Sequence, residues 1–507
     1  MRIRGHVFTL PKVHPGPALA AFKAWLAGHR LLGGLAVLAV AYLTMAATLP
    51  PTDDELYYWC WSQELQLSYF DHPPMTALMV RASTEVLGPS VFAVRLPACL
   101  STLAVLGVIG WLMRPRSLLP LVALTPLFTF GAVLITPDTP LLLFWAAYLA
   151  WLTIAHRRVD SGTLSYSIWL VGGVLLGCAA LGKYTSVLAV PATFLSFLIA
   201  GRPWRTWVPG YLLHGFVSFL FVVPVLVYNV REDFAPLRFQ WSHAMAAGNG
   251  LKSFADFVGV QLLLFGTMPL VLFPWVVWNL RGLAADPRLR ACACLYALPM
   301  AFFLYKATRG PLEGNWALAC YIGFWPVAAV WYERARSNRW WRWAVAGAFA
   351  MPIGCVLVLA FHLLVTPLPV VKPRHDRLSR YAARQEAFAE LAEAIRHHRE
   401  QVPVFGVTYQ TTARLRVNGV AAEQLAGATR PSNFTLRPRT LSDVDRALVV
   451  NEGPLPPALA PGFGPPRLVA TVPVTVRGEA QTYYHLLLYS RTENGSSQLA
   501  GMPSTIP

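Results

Sequence analysis

The sequence predicts a polytopic α-helical membrane protein of about eleven transmembrane helices, with a small α/β domain at its C-terminal end on the outer side. Three observations lead there. Hydrophobic residues make up 55% of the 507-residue chain and charged residues only 13%, against about a quarter charged in a soluble domain. Apolar runs of roughly 17 to 24 residues recur between charged breaks, the length that crosses a bilayer. After Pro367 these runs stop, and polar sequence alternates with short strand-like segments.

The spans read as 31–49, 91–112, 118–135, 140–155, 165–182, 185–200, 208–228, 257–279, 291–305, 316–332 and 343–365. Residues 1–366 then form a membrane domain with an outer loop over 50–90, and 367–507 a separate outer domain. Within the loop, 75–88 reads as an amphipathic helix at the interface. The spans 118–135 and 140–155 make a hairpin about the turn Thr136-Pro137-Asp138-Thr139-Pro140. Residues 229–256 read as a polar loop. Beyond 367 the pattern gives a helix over 375–400 and strands at 402–407, 446–450, 467–474 and 482–489, with a frayed tail after Glu493.

Charge supports this order. Lys and Arg occupy 18 positions in the loops assigned inside and 7 in those outside, the expected inside bias. The formal charge of +17 therefore fits anionic headgroups rather than nucleic acid. The seven Cys lie mostly within apolar runs and predict no disulfide framework. Cys292 and Cys294 read as packing residues, and no His/Asp cluster has metal-ligand spacing.

The acids do the reverse. Asp53, Asp54, Glu55, Glu64, Asp71, Glu85, Asp138, Glu232, Asp233, Asp256 and Glu313 all fall outside. Acids barely influence topology, so their placement needs another cause, and a reaction centre on the outer face is one. The stretch Pro50–Pro74 is its centre. Three adjacent carboxylates repel one another and are costly to desolvate near a bilayer. They sit among Tyr57, Tyr58, Trp59, Trp61, Tyr69 and Phe70.

Such parts suit glycosyl transfer with inversion. One carboxylate takes the proton of the attacking hydroxyl, cations stabilise a departing phosphate, and aromatic faces wall the site. Asp54, Glu55 and Asp138 are the catalytic candidates. Asp53, Tyr57, Tyr58, Asp71, His72, Lys183, Tyr184, Arg238, Gln240, Lys306, Arg309, Asn315 and Tyr409 are the candidates for substrate binding. Each has a plainer reading. Asp53 or Asp54 could cap the helix that Leu56-Tyr57-Tyr58-Trp59 begins, Asp138 could cap the helix at 140, Lys183 could snorkel, and His72 could be a turn residue. The loop aromatics could form an interfacial belt.

Several motifs resemble the polytopic glycosyltransferases that use polyprenyl-phosphate sugars, the GT-C type. That group includes the protein O-mannosyltransferases, the lipid A aminoarabinose transferase and bacterial family 39-like enzymes. The motifs are Asp54-Glu55 running into Leu56-Tyr57-Tyr58-Trp59, then Asp71-His72-Pro73-Pro74 and Thr136–Pro140. Gly182-Lys183-Tyr184-Thr185, Phe239-Gln240, Asn315-Trp316 and Tyr409–Leu415 are further, weaker matches. The resemblance spans about residues 30 to 450. It implies Asp54 as catalytic base and a donor phosphate near His72 and Lys183. It also implies a polyprenyl-phosphate sugar as donor and a glycolipid, glycan or protein as acceptor. Some relatives need a divalent metal and some do not. His72 departs from the pattern, because the lipid A transferase has Lys before its two prolines. The resemblance further implies a bacterial inner membrane location with the N-terminus cytoplasmic and the C-terminal domain periplasmic. A transporter or flippase of a lipid-linked sugar is the rival reading, and a non-catalytic scaffold a third. Ionisable residues gathered at one surface, with no internal repeat, weigh against a transporter.

Overall fold

The computed structural model describes residues 30–492, apart from 164, 366, 369–370, 399–401, 437–443, 454–455, 457–458 and 460–461. The N-terminal basic segment and the tail expected to fray lie outside the described residues.

Helix α1 (Arg30–Thr48) leads to a loop helix α2 (Asp53–Gln63), an interfacial helix α3 (Met75–Leu87) and α4 (Val91–Leu112). Then come α5 (Asp138–Asp160), α6 (Tyr166–Ala180), α7 (Ala189–Ile199), α8 (Val208–Arg231), α9 (Ala235–Met245), α10 (Gly250–Phe265) and α11 (Met268–Trp278). The membrane part closes with α12 (Pro287–Ala307), α13 (Cys320–Ala335) and α14 (Arg339–Leu364). Helix α12 is central, with 72% of its apolar window buried, whereas α1 has 11% buried and turns its apolar surface outward. That outward surface, with Val37 and Val40 exposed, suits lipid as its solvent.

The count of spans differs from the sequence reading. Among the described residues six helices are long and apolar enough to cross a membrane, or seven if one bent pair is a single span. Residues 165–182 and 185–200 form shorter apolar helices. The expected span 118–135 is broken into Leu119–Ala123, Pro126–Phe128 and Phe130–Val133. Pro126 has no N–H to continue a helix, and the Thr125 and Thr129 hydroxyls donate to local carbonyls instead. The expected span 257–279 is the bent pair α10–α11, turned by 102°. Gly266 makes that corner with φ +74°, and a Cβ there would sit 1.7 Å from the Ala348 carbonyl oxygen. The expected polar loop 229–256 contains α9 and the start of α10.

The C-terminal part carries α15 (Arg377–His397), β1 (Val404–Gly406), α16 (Tyr409–Val417), β2 (Ala422–Gln424), β3 (Arg446–Glu452), β4 (Arg467–Val476) and β5 (Glu479–Ser490). The sheet order is β2-β1-β3-β5-β4. Strand β1 runs parallel to β2 and β3, and β5 antiparallel to β3 and β4. Helix α15 covers one face through Phe388 and Leu391 against Val472, Val474 and Leu486. The three-residue β2 went unread in the sequence, being too short and polar for an alternation signal. Helix α16 seats Ala413 against Leu56, Tyr57, Cys60 and Trp61 of α2. The C-terminal part thus rests directly on the acidic loop.

Gly266→Ala is expected to lower stability by more than the roughly 1–2 kcal/mol of a left-handed residue alone, because the added methyl also strikes Ala348. Gly259, within α10, has nothing within 4 Å of its Cβ position. Gly259→Ala is expected to be neutral or to stabilise by up to about 1 kcal/mol. Thermal unfolding of both variants in detergent checks the contrast.

Candidate active site

Helix α2 begins at Thr52, whose hydroxyl accepts from the Glu55 amide while the Glu55 carboxylate accepts from the Thr52 amide at 2.9 Å. This capping box fixes the register of the three carboxylates that follow Thr52. Successive helical residues point about 100° apart, so each acid meets a different neighbour.

Glu55 faces into the membrane part. Both its oxygens accept from Arg95 at 2.7 Å, and both side chains are 1% exposed. Arg95 also donates to the carbonyls of Leu49 and Pro50. Glu55, a catalytic candidate from sequence, is therefore fully engaged in joining α1, α2 and α4. Asp53 faces the C-terminal part, accepting from Arg414 at 2.5 Å and Arg384 at 3.0 Å.

Asp54 is the remaining acid. Its Oδ1 accepts from the Tyr409 hydroxyl at 2.9 Å, and one side of the residue reaches solvent. Burial by the surrounding protein raises its pKa above the usual carboxylate range, partly opposed by the Tyr409 hydrogen bond and reinforced by neighbouring Asp53.

Asp71 lies next to this group. It accepts from Tyr57 at 2.8 Å and from Arg430 at 2.8 Å, and its backbone carbonyl accepts from Gln240 at 2.7 Å. Tyr57 in turn accepts from the Asn433 amide. Tyr57 and Tyr58 are both buried, so they are packing residues of this junction rather than a lipid-facing belt. Asp138 opens α5, but its carboxylate does not cap that helix. It accepts from Lys183 at 2.7 Å and from Asn315 at 2.7 Å. Lys183 is 4% exposed, so it is a paired interior cation and not a snorkelling one.

Asp71, His72, Lys183, Tyr184, Gln240 and Asn315 meet on one cavity of about 600 Å³. Phe239, Trp241, Met245, Phe302 and Trp316 give it apolar walls, and Arg430 reaches it from the C-terminal part. Arg430 packs on the Tyr409 ring at 4.3 Å, which puts Asp54 one side chain away from the lining. Asp138 and Asn315 also border an apolar hollow of about 360 Å³ that includes Val105, Phe128, Leu142 and Leu264.

Other candidates fall elsewhere. Arg238 is exposed and donates to the nearby Asp233 carbonyl. Lys306 donates to the Ala246 carbonyl at 3.2 Å, and Arg309 is exposed. None of the three lines the cavity. His72 lines it, but burial, and then the charges of Lys183, Arg430 and His243, push its pKa down to about 3. It enters the site as a neutral imidazole and brings no positive charge to the donor phosphate that the resemblance places near it. Arg430, Arg414, Arg384 and Arg95 were not singled out from sequence. Only the pairing Thr52–Glu55 gave a local signal, as a capping-box spacing. Among the described residues no group of three or more His, Cys, Asp or Glu could hold a metal ion.

The sequence model of the dolichyl-phosphate-mannose-protein mannosyltransferase family matches residues 71–228. The lipid A galacturonosyltransferase RgtD of Rhizobium johnstonii is 27% identical over 358 residues, which cover 67% of this chain and 72% of that protein. The crystal structure of ArnT from Cupriavidus metallidurans bound to undecaprenyl phosphate superposes with a TM-score of 0.63 at 14% identity, covering 95% of this chain and 100% of ArnT. Apo ArnT gives 0.59 at 16% identity, covering 85% and 93%. The chain shares its fold with ArnT and is a glycosyltransferase.

In this glycosyltransferase the three adjacent acids have separate fates, and that can be measured. Glu55→Gln leaves the buried Arg95 charge without a full partner. It is expected to cost about 3–5 kcal/mol, read as a lowered unfolding temperature in detergent, with lost activity following from lost structure.

Proposed function

We propose that the protein moves a sugar from a polyprenyl-phosphate donor to a hydroxyl of lipid A or a related envelope glycan, with Asp54 as general base. The single observation that carries this is the separation of the acids. Asp53 and Glu55 are consumed by arginines, while Asp54 keeps a solvent-exposed side, one side chain from the cavity lining, and a raised proton affinity. Similarity to RgtD supports lipid A as acceptor, and the ArnT complex supports a polyprenyl phosphate as the lipid. RgtD is named for a galacturonosyl group, and we take a hexuronic acid as the donor's sugar. Transfer to a protein is the alternative acceptor class.

The acceptor oxygen attacks the anomeric carbon as Asp54 removes its proton. The bond from that carbon to the phosphate oxygen breaks, and its electron pair leaves with the lipid phosphate. Lys183, held by Asp138, stabilises the charge that develops there. His72 offers a neutral ring beside it. Attack opposite the leaving group inverts the anomeric centre. Residues 1–366 form the membrane domain and 367–507 the outer domain. The reaction lies at the outer face of the bacterial inner membrane, with the N-terminus inside.

Asp54→Asn is expected to reduce release of polyprenyl phosphate by about 10²–10⁴-fold, followed by mass spectrometry with purified protein. It should not lower the unfolding temperature. The folded state holds the Asp54 proton more tightly than the unfolded chain does, so the ionised carboxylate opposes folding at neutral pH, and Asn removes that charge. Activity of the wild type is expected to rise with pH through the raised Asp54 pKa, because only the carboxylate accepts a proton. Full activity in Asp54→Asn would remove Asp54 from the role of base.

A further inference from the structure

The cavity presents two basic side chains, Lys183 and Arg430, on different elements. Lys183 stands where α6 gives way to α7 and is held by Asp138, which Asn315 holds in turn. Arg430 comes from the C-terminal part, just after β2, and is held by Asp71. A polyprenyl-phosphate donor brings one phosphate, and Lys183 answers it. A second cation on the side of the catalytic base has no use for a neutral sugar. It would draw protons off Asp54 and weaken it as a base.

We infer that Arg430 is the residue that selects the donor sugar, by binding the carboxylate that a hexuronic acid carries. This rests on the donor proposed above. The guanidinium is suited to it. Its plane is held by Tyr409 at 4.3 Å and by Phe239 at 5.9 Å, so its direction is set before the sugar arrives. Its contacts to Asp71 and to the Pro431 carbonyl both use Nη1. A guanidinium has more N–H donors than these two contacts take, and its planar fork matches a carboxylate. The side chain is 40% exposed and faces the cavity. Asp71 holds Arg430 through Oδ1 alone, since Tyr57 binds Oδ2. Asp71 thus anchors the guanidinium at one nitrogen, and Tyr57 keeps Asp71 satisfied if Arg430 swings toward the sugar. The same Tyr409 that carries Arg430 also donates to Asp54. A carboxylate bound at Arg430 therefore aligns the sugar ring against the group that activates the acceptor.

The test uses the full chain with two donors, undecaprenyl-phosphate galacturonic acid and undecaprenyl-phosphate galactose. They differ only in carboxylate against hydroxymethyl. The readout is kcat/KM for release of undecaprenyl phosphate with lipid A as acceptor. Wild type is expected to prefer the uronic donor by about 10- to 100-fold, the range of a charge-assisted hydrogen bond. Arg430→Gln is expected to bring the ratio of the two donors close to one, and Arg430→Lys to restore part of it. Equal use of both donors by wild type would overturn the inference while leaving the glycosyltransferase reading intact, and needs no variant to fold. A ratio unchanged in Arg430→Gln, with both donors slowed alike, would also overturn it and reduce Arg430 to a phosphate contact or a domain clasp. Release from neither donor by wild type would defeat the proposed donor itself, and the inference with it.

Discussion

Arg95 cannot reach water, and that constraint organises the outer end of the molecule. Its guanidinium is 1% exposed and needs an anion and several acceptors to be tolerable there. Glu55 supplies the anion, and the last carbonyls before α2 supply the rest. The pair fixes where α2 starts and how it is turned. Once the third carboxylate is committed to the membrane part, helical geometry sends the first two elsewhere, one toward the C-terminal part and one toward open space. Three like charges in sequence become three separate interactions in space. The freedom of Asp54, the proposed base, depends on the immobility of Glu55.

The C-terminal part depends on the same arrangement. Asp53 receives Arg384 and Arg414, and Arg384 also binds Glu452 of β3. Tyr409 meets Asp54, Arg430 meets Asp71, and the Asn433 amide meets Tyr57. Five side chains or amides from one domain therefore address four residues of one loop. Only a docked domain completes the surroundings of Asp54, and burial among these groups raises its proton affinity.

Much of this was legible in sequence because its cause is local. Long apolar runs, the strand alternation over 467–490 and the clustering of acids on one side each follow from nearest-neighbour chemistry. Six residues lining the cavity, Asp71, His72, Lys183, Tyr184, Gln240 and Asn315, were also singled out, through motif resemblance. What failed to show had a distant cause. Hydropathy cannot tell a helix buried by other helices from one facing lipid, so broken and short segments were counted as full spans. The corner at Gly266 exists because Ala348 passes close by, and Ala348 lies far along the chain. Glu55 carried a readable capping signature with Thr52, but its pairing with Arg95 crosses 40 residues. Arg430 sits in a Pro-containing turn with no local pattern, 359 residues from the aspartate it binds. The charge of His72 was misread because burial and neighbouring cations, not sequence, decide it.

The pairing of every cavity cation with an acid has a kinetic meaning. An unpaired lysine in so buried a place would be costly to hold, and would bind a lipid phosphate as tightly after transfer as before it. Asp138 tempers Lys183 by sharing it, at 2.7 Å. In the proposed reaction the phosphate would then gain most from Lys183 in the transition state, when negative charge on the departing oxygen is greatest. Interactions that strengthen only at that stage speed the reaction without trapping either substrate or product. An enzyme whose product is itself an anchored anion in the same membrane needs that balance, and a buried acid beside the lysine provides it. The same reasoning fits the placement of Asn315, which lines both the cavity and the apolar hollow, and of Asp138, which lines the hollow while holding Lys183 of the cavity. The charged end of the lipid and its chain must part company with polar surroundings at one place, and a neutralised pair is the least costly surface on which to do so.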